Sequence, residues 1–324
     1  MTSKVTVPRR SNTRVRDFLS TPPKETKILT LEKIKPPTIE DYYIRACLLG
    51  DSGTGKTTGA LTLPGRKLVI DCDNRAESIA GMPNIVAVHK VLEPFGKPTP
   101  GQSDHKPRAW EELKLIKADL WELAKLPKEE RPFDSVSFDS ITAMCRFAMN
   151  WSLTLTRTDG VEVTTSPGGG PSRPHYAPAM HEISNFIISC LSLPFNVLFN
   201  GHIQFYENEE KRIVGFFPRI IGNLRDEAPN WFNETYQTTR KISRTGPPQY
   251  LWHTAGTAQM QFFKSSINQF GKFWQDPLAM NVKPIQDKTK ARPAGFERLL
   301  ELRFGEEVKK LYPEWPSTVQ ALYK

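Results

Sequence analysis

The sequence predicts an α/β protein: a mostly parallel sheet flanked by helices, with a flexible basic N-terminal arm and an irregular C-terminal extension. Three observations predict it. A short apolar stretch runs straight into a glycine-rich turn ending in Gly-Lys-Thr, apolar stretches then alternate with helix-periodic ones, and both ends of the chain depart from that texture. Strands alternating with helices make parallel pairings, because each crossover needs a helix to return the chain to the same edge.

Residues 1–40 are polar, basic and dotted with Pro8, Pro22, Pro23, Pro36 and Pro37, which predicts the arm. Residues 1–37 hold nine Lys/Arg against three acids, so they carry six of the nine net positive charges. Such an arm suits a polyanion, through counterion release, and equally suits solubilisation alone. The core is expected over 41–255 and the extension over 256–324.

The core opens with Ile44-Arg45-Ala46-Cys47-Leu48-Leu49, a buried strand that feeds the turn at Gly50. A short helix over 57–63 is closed by Pro64 and Gly65. Residues 67–73 are apolar and end in acids, a second buried strand. Residues 93–108 read as a long loop. Trp110, Leu113, Ile116, Leu120 and Leu123 then recur at helical spacing, an amphipathic helix covering the sheet. Residues 133–140 alternate into a strand that ends near Asp139, followed by a helix over 142–155 and a polar loop over 156–178. A helix over 177–193 sets Met180, Ile183, Ile187 and Leu191 on one face, and 196–202 is the next strand. Residues 203–218 alternate across an acidic tip at Glu207, Glu209 and Glu210, predicting a β-hairpin or a long projecting loop. Residues 235–242 and 250–253 read as strands, the chain from Gly256 as irregular, and 295–303 as a last helix.

The chemistry concentrates in Gly50, Asp51, Ser52, Gly53, Thr54, Gly55, Lys56, Thr57 and Thr58. Gly50, Gly55, Lys56 and Thr57 match G-x-x-x-x-G-K-[ST] without deviation. Glycines let backbone N–H groups turn inward around phosphate oxygens, Lys56 puts a charge on the β/γ-phosphates, and the Thr57 hydroxyl is a Mg²⁺ ligand. The pattern implies a nucleoside triphosphate site with Mg²⁺ as its metal. Asp139, at the end of an apolar strand, is the second metal ligand expected. Ser140 follows it where a glutamate would have supplied a base beside the metal, so the base must come from elsewhere. Asp71, Asp73 and Glu77 cluster at the tip of the second strand, and Asp73 is the chosen base or water-orienting group, with Glu77 in reserve. Asn200 and His202, at another strand end, are candidates for holding the water and relaying nucleotide state. Arg219, Arg225, Arg240, Lys288, Lys290 and Arg292 are candidates for a charge donated across a subunit interface. Phe205, Tyr206, Lys211, Arg212, Phe216, Phe217 and Arg219 interleave rings with cations, the mixture that stacks on single-stranded bases and also the mixture of a hairpin packed on a core.

Together, Gly50 to Thr57, Ile70-Asp71-Cys72-Asp73, Phe133 to Ser140, Phe199-Asn200-Gly201-His202, Pro218 to Gly222 and Trp231 to Tyr236 resemble the phage-encoded RecA-like P-loop ATPases of the nucleotide-binding AAA type. Some members of that family are single-strand-annealing recombinases of the Sak type. The resemblance covers about 42–245. It implies a RecA-like core, Mg²⁺-dependent ATP hydrolysis, assembly into a homo-oligomeric ring or filament, and action on single-stranded DNA in recombination or replication, with a single-strand-binding protein as a further partner. Asp73 stands where many relatives use Glu, and the basic arm and proline-rich end have no counterpart.

Other classes remain open from the residues alone. The same loop serves a nucleotide or small-molecule kinase, and a nucleotide-switched assembly protein. No apolar run approaches the length of a bilayer span and the first residues form no apolar signal segment, so the expected location is cytoplasmic, the host cytoplasm if the chain is phage-encoded. The four cysteines stand alone inside apolar stretches, which excludes a zinc motif or disulfide framework and predicts buried small hydrophobes.

Overall fold

The computed structural model describes residues 41–82, 84–93, 107–155, 170–210, 213–242, 248–256, 262–266 and 294–312. The expected arm over 1–40, most of the 93–108 loop, most of the polar loop over 156–178, and most of the chain from 257 to 293 lie outside those residues.

The predicted α/β class is the observed one. Seven strands form the main sheet in the order β3-β2-β4-β5-β1-β8-β9. They are β1 (Arg45–Gly50), β2 (Lys67–Asp71), β3 (Ile85–Lys90), β4 (Ser135–Asp139), β5 (Asn196–Gly201), β8 (Glu234–Lys241) and β9 (Gln249–His253). Every pairing is parallel except the last, β8 with β9. β5 is buried along its whole length and β4 likewise, the continuous burial that apolar strands in a two-sided sheet require.

Helices cover both faces. α2 (Ala109–Ala124), α3 (Ile141–Ser152) and α4 (Arg173–Leu191) bury Trp110, Met144, Phe186 and Ile187 against Phe138 and Phe199. On the other face, α1 (Lys56–Gly59) and a 3₁₀ turn at Ala60–Thr62 pack with α6 (Gly295–Phe304) around Leu48, Trp252 and Phe296. Each such core side chain contributes about 1.5–3 kcal/mol. The last predicted helix therefore seats on the core: the Phe296 N–H donates to Thr62 Oγ1 at 3.1 Å, and its ring meets Trp252 at 5.0 Å. The segment α7 (Val308–Leu311) buries Val308 in the same cluster. All four cysteines are buried and unpaired as expected, with burial pushing the Cys145 thiol up to about 12.

Three elements differ from expectation. The helix over 57–63 is one α turn followed by a 3₁₀ turn. At Gly59 a Cβ would come within 2.6 Å of Leu48, so the segment lies hard against β1. α4 starts four residues early, because Ser172 and His175 form a reciprocal capping box and Pro174 sits where a missing N–H costs nothing. β3 has no counterpart in the expected strands. It is an edge strand whose side chains are half-buried or exposed, so it lacks the apolar run that marks its neighbours.

The hairpin is real. β6 (Ile203–Glu207) and β7 (Ile213–Pro218) pair antiparallel in a sheet of their own. A short α5 (Leu224–Glu227) then leads back to β8.

Candidate functional site

The inner parallel strands end along one edge, where open α/β sheets hold their ligands. The register sets Asp71, Asp139 and Asn200 side by side on β2, β4 and β5. The loop after β1 wraps this edge. Gly53 and Gly55 take φ of 74° and 88°, left-handed values that turn successive N–H groups inward. Gly50 is required by contact instead, since a Cβ there would lie 2.3 Å from Thr238 Oγ1. Thr54 braces the same junction, its hydroxyl 2.8 Å from Thr238 Oγ1 and 2.8 Å from the Asp51 carbonyl it donates to.

Lys56 is buried and donates to the carbonyls of Gly50 at 2.9 Å and Asp51 at 2.7 Å. Burial lowers its pKa, the carboxylates of Asp139, Asp51 and Asp73 resist, and the charge of Arg75 adds to the lowering. The Thr57 hydroxyl donates to Asp139 Oδ2. Burial raises the pKa of Asp139 and the nearby Asp73 charge raises it further, against the pull of Thr57, Asn200 and Lys56. Asn200 is fully buried next to it, and neither Nδ2 nor Oδ1 completes a hydrogen bond. A buried carboxyl, a hydroxyl in contact with it and an amide whose atoms complete no hydrogen bond form a set of hard oxygen donors that suits Mg²⁺.

Asp73 sits across the mouth. Ser140 donates to its Oδ2 at 2.7 Å, His202 Nε2 lies 3.7 Å from the same oxygen, and Arg146 Nη2 lies 3.7 Å from Oδ1. Burial would raise its pKa, but His202, Ser140 and Arg146 outweigh it and hold the carboxyl below its ordinary value. A pocket of about 180 Å³ results, lined among others by Gly53, Lys56, Thr57, Asp73, Arg75 and Asp139.

A family model described as an AAA domain matches residues 43–272, well over half of the chain and every strand from β1 to β9. The chain belongs to the AAA domain family. No curated protein matches it. Membership makes this AAA domain protein a nucleotide-binding ATPase of the P-loop kind.

The AAA domain thus gathers Lys56, Thr57, Asp73, Asp139, Asn200 and His202 at one edge, as the sequence predicts. Ser52, Gly53, Gly55 and Thr58 line the pocket with all of these but the fully buried Asn200, whereas Gly50 and Thr54 pack the loop against β8. Glu77 instead pairs with Lys90 at 3.0 Å and is mostly exposed. Asp71 is structural: its carboxylate accepts from the N–H groups of Asp73 at 3.2 Å, Arg75 at 3.1 Å and Ala76 at 3.0 Å, fixing the turn. Among the interface cations, Arg225 lies 5.0 Å over the Tyr206 ring and 5.6 Å over Phe217, and Arg240 approaches Gly53. Lys288, Lys290 and Arg292 lie outside the described residues, as do Lys211 and Arg212. Sequence reasoning missed Ser140, Arg146 and Arg75. Ser140 and Arg75 lie one and two residues beyond acids already singled out, which was the available signal.

Proposed function

We propose that the chain is a Mg²⁺-dependent ATPase acting on single-stranded DNA, assembled as a ring or filament. Following the resemblance, its setting is phage recombination or replication in the host cytoplasm. A Sak-type annealing recombinase is the finer assignment, and a single-strand-binding protein is a further partner. The observation that carries the hydrolysis reading is the Lys56–Thr57–Asp139 group beside the unpartnered amide of Asn200. The loop N–H groups and Lys56 hold the phosphates, and Thr57 and Asp139 hold Mg²⁺, which when bound neutralises charge on the β/γ oxygens. With its pKa held low, Asp73 is better suited to orient a water than to take its proton fully. His202 touches Asp73 and directly precedes the hairpin, so the water-orienting carboxylate and the DNA-facing segment share one contact. On that hairpin Phe205 is 41% exposed and meets Phe216 edge-on, which supports stacking on bases.

The test is ATP turnover and sedimentation, each with and without single-stranded DNA. Faster turnover and larger species in its presence are expected. Unchanged turnover at saturating DNA, with no DNA retained at low salt, would remove the DNA half of the reading.

A second reading, the kinase, is favoured by one observation. A cavity of about 640 Å³ shares Asp73, Arg75 and His202 with the phosphate pocket and adds Arg146, Tyr176 and Arg219. Its size suits an acceptor molecule. Transfer of phosphate to a nucleoside monophosphate in a coupled assay would establish it.

A further inference from the structure

Hydrolysis of this kind needs positive charge on the phosphoryl group as it leaves, and P-loop proteins obtain it from an arginine. The candidates weighed from sequence were all placed across a subunit interface. We propose instead that Arg75 is that arginine and that it acts within its own chain. The proposal rests on the hydrolysis reading above.

Three observations carry it. Arg75 lines the phosphate pocket beside Lys56, Thr57 and Asp139, and those lining residues include two permanent cations, Lys56 and Arg75. Its Nη1 donates to Ser52 Oγ at 3.3 Å, so the guanidinium already bridges from the turn after β2 to the phosphate loop. Its backbone is fixed from below by the Asp71 carboxylate while its side chain is exposed, which gives a rigid base and a movable head. Of the other arginines, Arg225 is held against Tyr206 and Phe217, Arg146 against Asp73, and Arg240 approaches Gly53 from β8, whereas Arg75 alone among them lines the phosphate pocket.

The step it serves is the displacement. A water oxygen bonds to the γ-phosphorus as the bond from that phosphorus to the β,γ-bridging oxygen breaks. The electron pair leaves with ADP, and the water's proton passes to solvent along the Asp73 carboxylate. Charge grows on the bridging and equatorial oxygens, which a planar guanidinium meets with two parallel donors. One arm of that fork, Nη1, donates to Ser52 Oγ on the phosphate loop.

Arg75→Ala is expected to lower kcat about a thousandfold while leaving ADP affinity within a few-fold of the unaltered chain. Arg75→Lys, which keeps the charge and loses the fork, should fall between. Independent of turnover, retention of ADP by aluminium fluoride, a mimic of the transferring phosphoryl, should be lost in Arg75→Ala although ADP alone still binds. Mixing Arg75→Ala with Lys56→Ala chains separates the two geometries: action within the chain leaves the mixture inactive, whereas restored turnover would mean an arginine given across an interface and overturn the proposal. Normal turnover in Arg75→Ala would overturn it alone. No turnover in the unaltered chain would overturn the hydrolysis reading and this one with it.

Discussion

Two of the carboxylates buried in this sheet have opposite surroundings. Glu234, at the start of β8, is completely enclosed and fully answered: the Tyr42 hydroxyl donates at 3.2 Å, the Tyr236 hydroxyl also donates, and the Ser266 N–H reaches both oxygens at 3.2 and 3.1 Å. Burial and then the Glu234 charge push both tyrosine pKa values up, so both phenols stay protonated as donors. Asp139 has one hydroxyl donor, a second carboxylate close by, and an amide beside it that draws on it without completing a hydrogen bond. A closed polar network stabilises a fold, and an open one is kept only where something else completes it. Exposure alone does not separate these two acids; the count of donors does.

Four outcomes would break or sharpen that contrast, in falling order of effect. Lys56→Ala should reduce ATP turnover by about 10²–10³-fold in a steady-state assay, since a charge aimed at the transition state is lost. Undiminished turnover would detach the open network from chemistry altogether. Glu234→Ala should cost about 1–3 kcal/mol in denaturant unfolding for each donor left without an acceptor, with turnover per folded molecule unchanged. Asp139→Asn should do the reverse, slowing turnover while raising the melting temperature of the nucleotide-free protein near neutral pH. The sign follows from the pKa: a carboxyl raised on folding carries a penalty when ionised, present above its folded-state pKa and relieved as pH falls through that value toward the unfolded one of about 3.9. A lower melting temperature for this variant would mean that the cluster is structural after all. Smallest is Asn200→Leu, which removes an amide that draws on Asp139 without completing a hydrogen bond and should change unfolding stability by about 1 kcal/mol or less while slowing hydrolysis.

Much of this was legible in the chain, for physical reasons that differ by element. The phosphate loop is local chemistry: nine consecutive residues carry its turn, its charge and its hydroxyl, and the apolar run before it supplies the strand. Asp139 was legible because a strand-end acid in the right order has few other uses. The contact between His202 and Asp73 spans 129 positions and exists only because β4 lies between β2 and β5, a neighbour relation that spacing does not encode. Arg75 was overlooked because its placement depends on Asp71 turning its carboxylate back on the chain, so that an acid expected to do chemistry instead aims the next cation. β3 escaped because an edge strand needs no continuous apolar face. The start of α4 was hidden by Pro174 and Pro178, which read as loop until the Ser172–His175 box is seen.

The hairpin also has a mechanical side. Only His202 separates the last residue of β5 from the first of β6, and β6 pairs with β7 rather than with the main sheet. Five strand residues at about 3.3 Å each make an arm roughly 17 Å long, whose base is closed where the Arg219 N–H donates to the His202 carbonyl at 2.8 Å, so that these two residues form its pivot. A turn of about 5° at that pivot moves the far end by about 1.5 Å, enough to make or break a hydrogen bond there. The sheet edge need shift by only a fraction of an ångström for the tip to register it, which makes this joint a gear with a high ratio.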